Sequence, residues 1–95
     1  MSEEQEQSLA WRRALKYLER RARTVKEVRD KLLEKKFDLI VVNKIVERLL
    51  QAGYLNDELF AQNYLRWRND FRPTGLSRVK QELRIKGLDK LIIET

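Results

Sequence analysis

Apolar residues recur along this chain at spacings of three and four, and the glycines and proline that interrupt them, Gly53, Pro73, Gly75 and Gly87, are few. Such a period under sparse punctuation predicts helices. The first begins after Ser8, with Trp11, Leu15, Leu18 and Ala22 falling within about 60° of one another on a helical wheel, a narrow stripe to bury. Thr24 and Glu27 have capping-box spacing, in which hydroxyl and carboxylate satisfy each other's backbone donors, so a second helix runs over 25–36. Asp38 caps a third, which carries Leu39, Val42, Ile45, Val46, Leu49 and Leu50 and stops at Gly53 in the left-handed conformation. Residues 39–42 alone would suit a strand. The helical period continues to Leu50, however, and no second strand-like run exists to pair with it. Asn56 or Asp57 caps a fourth helix holding Phe60, Ala61, Tyr64, Leu65, Trp67 and Phe71. Residues 71–75 form a turn, and a fifth helix over 76–86 ends at Gly87.

The second half of the chain copies the first. A shift of 51 lays Val28, Leu32, Lys35 and Asp38 on Val79, Leu83, Lys86 and Asp89, and Val41 and Val42 on Ile92 and Ile93. Upstream the best shift is 47, which places Ala14, Tyr17 and Leu18 on Ala61, Tyr64 and Leu65. The chain is therefore all-α, with an acidic, disordered tail over 1–8, a three-helix repeat over 9–53 and a second over 54–95. Repeats of this size stack, because one copy cannot cover its own apolar face. The same shift carries the Gly53 stop to position 104, nine beyond Thr95, so the second repeat is expected to be truncated in its third helix. Leu91, Ile92 and Ile93 should then be frayed or buried against another chain.

Composition removes most chemistry. With neither cysteine nor histidine, no disulfide framework, thiolate nucleophile, histidine base or ordinary zinc site can be assembled, and no cofactor is expected. Glu19, Glu27, Asp30 and Glu34 lie in charge-balanced helical contexts, and no glycine-rich phosphate loop is present, so an enzyme is not expected. The longest apolar run, 39–42, is far too short to cross a bilayer, and a cytoplasmic protein without a small-molecule substrate is expected. What remains is charge. The net value of +6 is unevenly placed: residues 9–36 sum to +7 and 66–86 to +5, separated by a stretch at −2. Two positive patches can steer a polyanion or an acidic protein surface.

The stretches ALKYLERRART at 14–24, GYLNDELFA at 53–61 and VKQELRIKGLD at 79–89, with YLRWR at 64–68, resemble the RecX family of regulators of the bacterial RecA recombinase. Family members usually carry a third such repeat. Ile85 stands where a polar residue is usual, and Leu76 where a proline is common. The resemblance implies a protein that binds along the RecA filament and inhibits its recombinase and ATPase activity in DNA repair and recombination. Single-stranded DNA is expected only as a weak, sequence-independent second ligand.

The residues independently allow such a role. Arg12, Lys16, Arg20 and Arg23 lie within about 80° beside the apolar stripe of the first helix, free for a partner or serving as a solvated face with pairs such as Glu19 and Arg23. Arg66 sits on the outer face of the fourth helix, and Arg78 and Arg84 on that of the fifth. Arg68 projects toward the apolar side, where a partner contact competes with a partly buried pair with an acid such as Glu82. Tyr64, Trp67 and Phe71 share a stripe with Phe60 and are read as core rather than as base-stacking residues. Ile85 points outward. A short basic three-helix unit also describes a stand-alone helix-turn-helix module, whose mark would be tight DNA binding in the absence of RecA.

Overall fold

The computed structural model describes residues 1–71 and 75–93, which hold six helices and no strand. They are α1 (Glu3–Arg20), α2 (Val25–Glu34), α3 (Leu39–Ala52), α4 (Asp57–Phe71), α5 (Leu76–Ile85) and α6 (Lys90–Ile93). The predicted turn over 71–75 and the packing predicted for Phe71 lie outside the described residues.

The acidic start is helical, not disordered. Ser2 caps α1 by accepting the Gln5 amide at 3.2 Å while Gln5 Oε1 accepts the Ser2 amide at 3.0 Å. Glu3, Glu4 and Glu6 occupy the first turn, where carboxylates meet the positive end of the helix dipole. Two of them also reach α3: Glu3 pairs with Lys44 at 2.6 Å, and Glu6 accepts the Asp38 amide at 2.9 Å. Caps and cross-helix contacts therefore extend α1 beyond the point where its apolar period begins. At its other end α1 stops at Arg20, and Arg21 is already extended. Ala22 is consequently exposed instead of completing the buried stripe. The fully buried positions of α1 are Ala10 and Ala14, small residues that let a neighbouring backbone approach, with Trp11, Leu15, Tyr17 and Leu18 packed at the edge of the core.

Thr24 and Glu27 form the expected capping box at the start of α2. Lys35 caps its end, and Lys36 takes a left-handed φ of 71° to turn the chain into α3. Asp38 caps α3 by accepting the Ile40 amide at 2.8 Å, and Gly53 closes it at φ 83°. The buried stripe of α3 is Val41, Val42, Ile45, Val46 and Leu49. Leu39 and Leu50, expected to face inward, lie on the margins of this stripe and are exposed. After Gly53, Leu55 turns back into the first core, while Tyr54 stays exposed and meets the edge of Trp11 at 6.0 Å.

The second repeat follows the same plan. Asn56 is the cap of α4, its side chain accepting the Leu59 amide at 3.0 Å. Ala61, Val79, Leu83, Leu88 and Ile93 form a second core, flanked by Phe60, Tyr64, Leu65 and Ile92. Equivalent positions are buried alike: Val28 and Val79, Leu32 and Leu83, Ala14 and Ala61. Asp89 caps α6 by accepting the Leu91 amide at 2.8 Å, as Asp38 does for α3. Only four residues of α6 are described, against fourteen in α3. Ile93 is neither frayed nor dependent on another chain, because α4 and α5 bury it. Leu91 is exposed, and Ile85 points outward as expected. Trp67 departs from expectation: it is 48% exposed, tilted against Tyr64 at 5.8 Å between ring centres.

The two repeats lie end to end. The molecule measures 48 × 23 × 23 Å with a radius of gyration of 14.7 Å. A sphere-like chain of this length would have about 12 Å.

Candidate cationic interface

The repeats meet where the start of α2 touches α4 and the end of α5. The Thr24 hydroxyl, besides accepting the Glu27 amide, donates to the Lys86 carbonyl at 2.7 Å. The Val25 amide donates to Asp57 Oδ1 at 3.0 Å. Each bond satisfies a helix-terminal group that has no partner within its own helix. Asp57 is half-buried here, and burial raises its pKa despite the Val25 amide. Gly87, at φ 93°, lies so close to α2 that a Cβ on it would stand 2.4 Å from Lys26 Cβ. The seam also encloses a groove of about 390 Å³ lined by Phe60, Tyr64, Trp67 and Lys86 on one side and Arg21, Ala22 and Glu27 on the other.

This seam fixes how the predicted cations are displayed. Arg12, Lys16 and Arg20 are exposed on α1. They do not share one surface: Arg12 and Lys16 border an open groove with Leu15, Leu18, Glu19 and Tyr54, whereas Lys16 and Arg20 border another with Tyr17, Lys31 and Lys35. Arg23 is not on α1, because the helix ends three residues before it; its guanidinium lies over the Tyr17 ring at 3.9 Å. That contact is worth about 0.5–1 kcal/mol at a partly exposed site. Arg66, Arg78 and Arg84 are exposed on α4 and α5.

Arg68 is buried instead, with only 8% of its surface exposed. It grips Glu82 with both arms, Nε to Oε2 at 3.1 Å and Nη2 to Oε1 at 2.8 Å, while the Tyr64 hydroxyl donates to the same Oε2 at 2.7 Å. The Tyr64 bond first and the Arg68 charge next hold the Glu82 carboxyl below its usual range. Burial and the adjacent carboxylate push the Tyr64 phenol up. This triad locks α4 to α5, the structural alternative for Arg68.

Three cations were given no role by sequence reasoning and belong to the display: Arg13, Lys31 and Lys35, which join Lys16 and Arg20 around Tyr17. Their signal lay in the repeat register rather than in charge counting, since 13 and 35 align with the seam residues Phe60 and Lys86, and 31 with Glu82 beside them. Arg48, likewise unremarked, covers Trp11 at 4.3 Å. Among the described residues no three acidic side chains gather as a metal site would require, and no helix is long and apolar enough to cross a membrane.

Comparison with known proteins gives this arrangement a family context. Residues 10–49 match the family model described as RecX, first three-helix domain, and residues 56–95 that described as RecX, second three-helix domain. A protein named Regulatory protein RecX from Prosthecochloris aestuarii is 38% identical over 85 residues, covering 90% of this chain and 56% of the relative. One of the same name from Mycobacterium sp. (strain JLS) is 36% identical over 81 residues, covering 85% of this chain and 44% of the relative. The crystal structure of RecX from Lactobacillus salivarius superposes with a TM-score of 0.92 at 31% identity, covering 95% of this chain and 58% of that one. The chain thus spans about half the length of the relatives it matches.

Proposed function

This chain belongs to the RecX family, and from that premise we propose that it regulates RecA by binding the recombinase filament on single-stranded DNA through its cationic helix faces. It acts in the cytoplasm as an inhibitor of recombinase and ATPase activity in DNA repair and recombination, and makes or breaks no bond itself. The relatives' shared name, Regulatory protein RecX, supports the regulatory part of this reading. The partner and the inhibition are proposals, since the chain spans only part of those proteins.

The observation that carries the reading is the unpaired display on α1. Arg12, Lys16 and Arg20 all stand exposed on a helix whose opposite side is anchored through Ala10 and Ala14. Arg66, Arg78 and Arg84 extend the positive surface onto the second repeat, which the hydrogen-bonded seam joins to the first in a body nearly 50 Å long. An elongated body with cations along it suits a filament, whose repeating surface rewards length. Rim charges of this kind mainly set association rate and salt dependence. Titrating the chain into RecA with single-stranded DNA at low salt should inhibit ATP hydrolysis, and added salt should relieve the inhibition. An unchanged rate would reject the reading. Tight DNA binding without RecA would favour a stand-alone nucleic-acid module instead.

A further inference from the structure

The second repeat carries an aromatic ladder that the first repeat lacks. Phe60, Tyr64 and Trp67 recur at helical spacing on α4, with ring centres 6.0 Å apart in the first pair and 5.8 Å in the second. Together they span about 10 Å of helix rise. A shift of 47 puts Arg13, Tyr17 and Arg20 at those places in the first repeat, where Arg23 already covers the one ring at 3.9 Å. The ladder therefore belongs to the seam.

Packing of the seam does not use it up. Opposite the rings the first repeat presents Ala22, which is exposed and too short to fill the space, so a groove of about 390 Å³ stays open and Trp67 is left 48% exposed. Grooves of this size at the boundary between structural units are where ligands commonly bind. Lys86 lies over Phe60 and Tyr64, 6.0 and 5.6 Å from the ring centres, and Glu27 approaches its ammonium only to 3.8 Å. The Arg21 guanidinium has neither a hydrogen bond nor an ion pair among the described residues. Two cations and one acid leave this aromatic wall with an excess of positive charge.

We propose that this groove docks a segment of a protein partner in which an aromatic side chain stands next to a carboxylate. The ring stacks on the ladder in the offset or edge-on geometries that aromatic pairs favour, and the carboxylate pairs with Arg21, whose fork of donors matches it. A bound segment touches α4 and the turn between α1 and α2 at once, so it clamps the two repeats together. A nucleic-acid strand fits less well, because its phosphates would meet the Glu27 carboxylate as well as the cations. The site is independent of the RecA reading, since Arg21, Ala22 and Trp67 lie outside the surface assigned to that partner.

The test is an NMR titration of the full chain, without RecA or DNA, with an unlabelled peptide that has phenylalanine between two aspartates and a blocked glycine at each end. Binding should saturate, shifting the indole N–H signal of Trp67 and leaving that of Trp11 in place, with Trp11→Phe supplying the assignment. Ala22→Phe, which fills the groove from an exposed position, and Arg21→Gln should each weaken binding at least ~5-fold. Lys90→Gln, an equal loss of charge outside the groove, should change it less than about twofold. On the unaltered chain, replacing the peptide's phenylalanine by serine, or both aspartates by asparagine, should weaken binding by a similar factor. Four results would overturn the proposal: unaltered binding by Ala22→Phe, an equal loss with Lys90→Gln, an asparagine peptide that binds as well, or oligothymidylate that shifts the Trp67 signal and displaces the peptide.

Discussion

Thr24 and Lys86, 62 residues apart, join the two halves of the molecule through one hydrogen bond, from the threonine hydroxyl to the lysine carbonyl at 2.7 Å. The same hydroxyl caps α2, so a single fully buried side chain ends one helix, begins another and couples two repeats. Thr24→Val keeps the volume and removes both bonds. Loss of the cap is worth about 0.5–2 kcal/mol, and the stranded Lys86 carbonyl adds about 1–3. Thermal unfolding should show a fall in Tm of several degrees, with the second repeat loosening first in amide exchange. Thr24→Ser should retain most of the stability.

Lys36 and Gly87 occupy the same register position and both have positive φ, yet only one is glycine. Gly87 abuts Lys26 of the preceding repeat and has no space for a Cβ. Lys36 stands exposed at the surface, so a side chain fits there with backbone strain alone. Lys36→Gly should therefore raise stability by about 0.5–1 kcal/mol. Gly87→Ala should lower it by more than about 1 kcal/mol, combining left-handed strain with a clash against the base of Lys26. Denaturant unfolding of the two variants checks both signs.

The acid limb of stability should carry two opposite contributions. Glu82 is held below its ordinary range by Tyr64 and Arg68, so its share of stability is present above the unfolded carboxylate range and is lost as pH falls through the lower folded value. Asp57 is raised by burial, so the folded state takes up its proton first, and the penalty for keeping it charged eases as pH falls. Melting curves between neutral and strongly acid pH should show Glu82→Gln with lower stability at pH 7 and a shallower acid loss. Asp57→Asn, which retains an acceptor for the Val25 amide, should be unchanged or slightly more stable at pH 7.

The helices were legible because their signals are local. Thr24 with Glu27, Asp38 and Gly53 act within one turn of themselves, and each does what its type and spacing predicts. The repeat was legible because Val28 and Val79, or Leu32 and Leu83, answer the same packing demand. The errors fall where the deciding partner is distant. Nothing near residues 1–8 reveals that Glu3 and Glu6 bind α3. Nothing near Arg23 shows that α1 stops short and leaves its guanidinium over Tyr17. Trp67 reads as core by periodicity, but the groove at the seam leaves it half open. Of the candidate contacts, six remain exposed, and Arg68, whose choice between partner and Glu82 depends on α5 packing, turned inward.

Co-sedimentation with RecA filaments on single-stranded DNA tests the central claim most directly. At low salt the chain should pellet with the filament, and Arg12→Glu/Arg20→Glu, exposed changes that leave the fold intact by circular dichroism, should reduce the bound fraction at least ~10-fold in affinity, since charge reversal at a rim removes attraction and adds repulsion. Equal pelleting of the charge-reversed and unaltered chains would contradict the account.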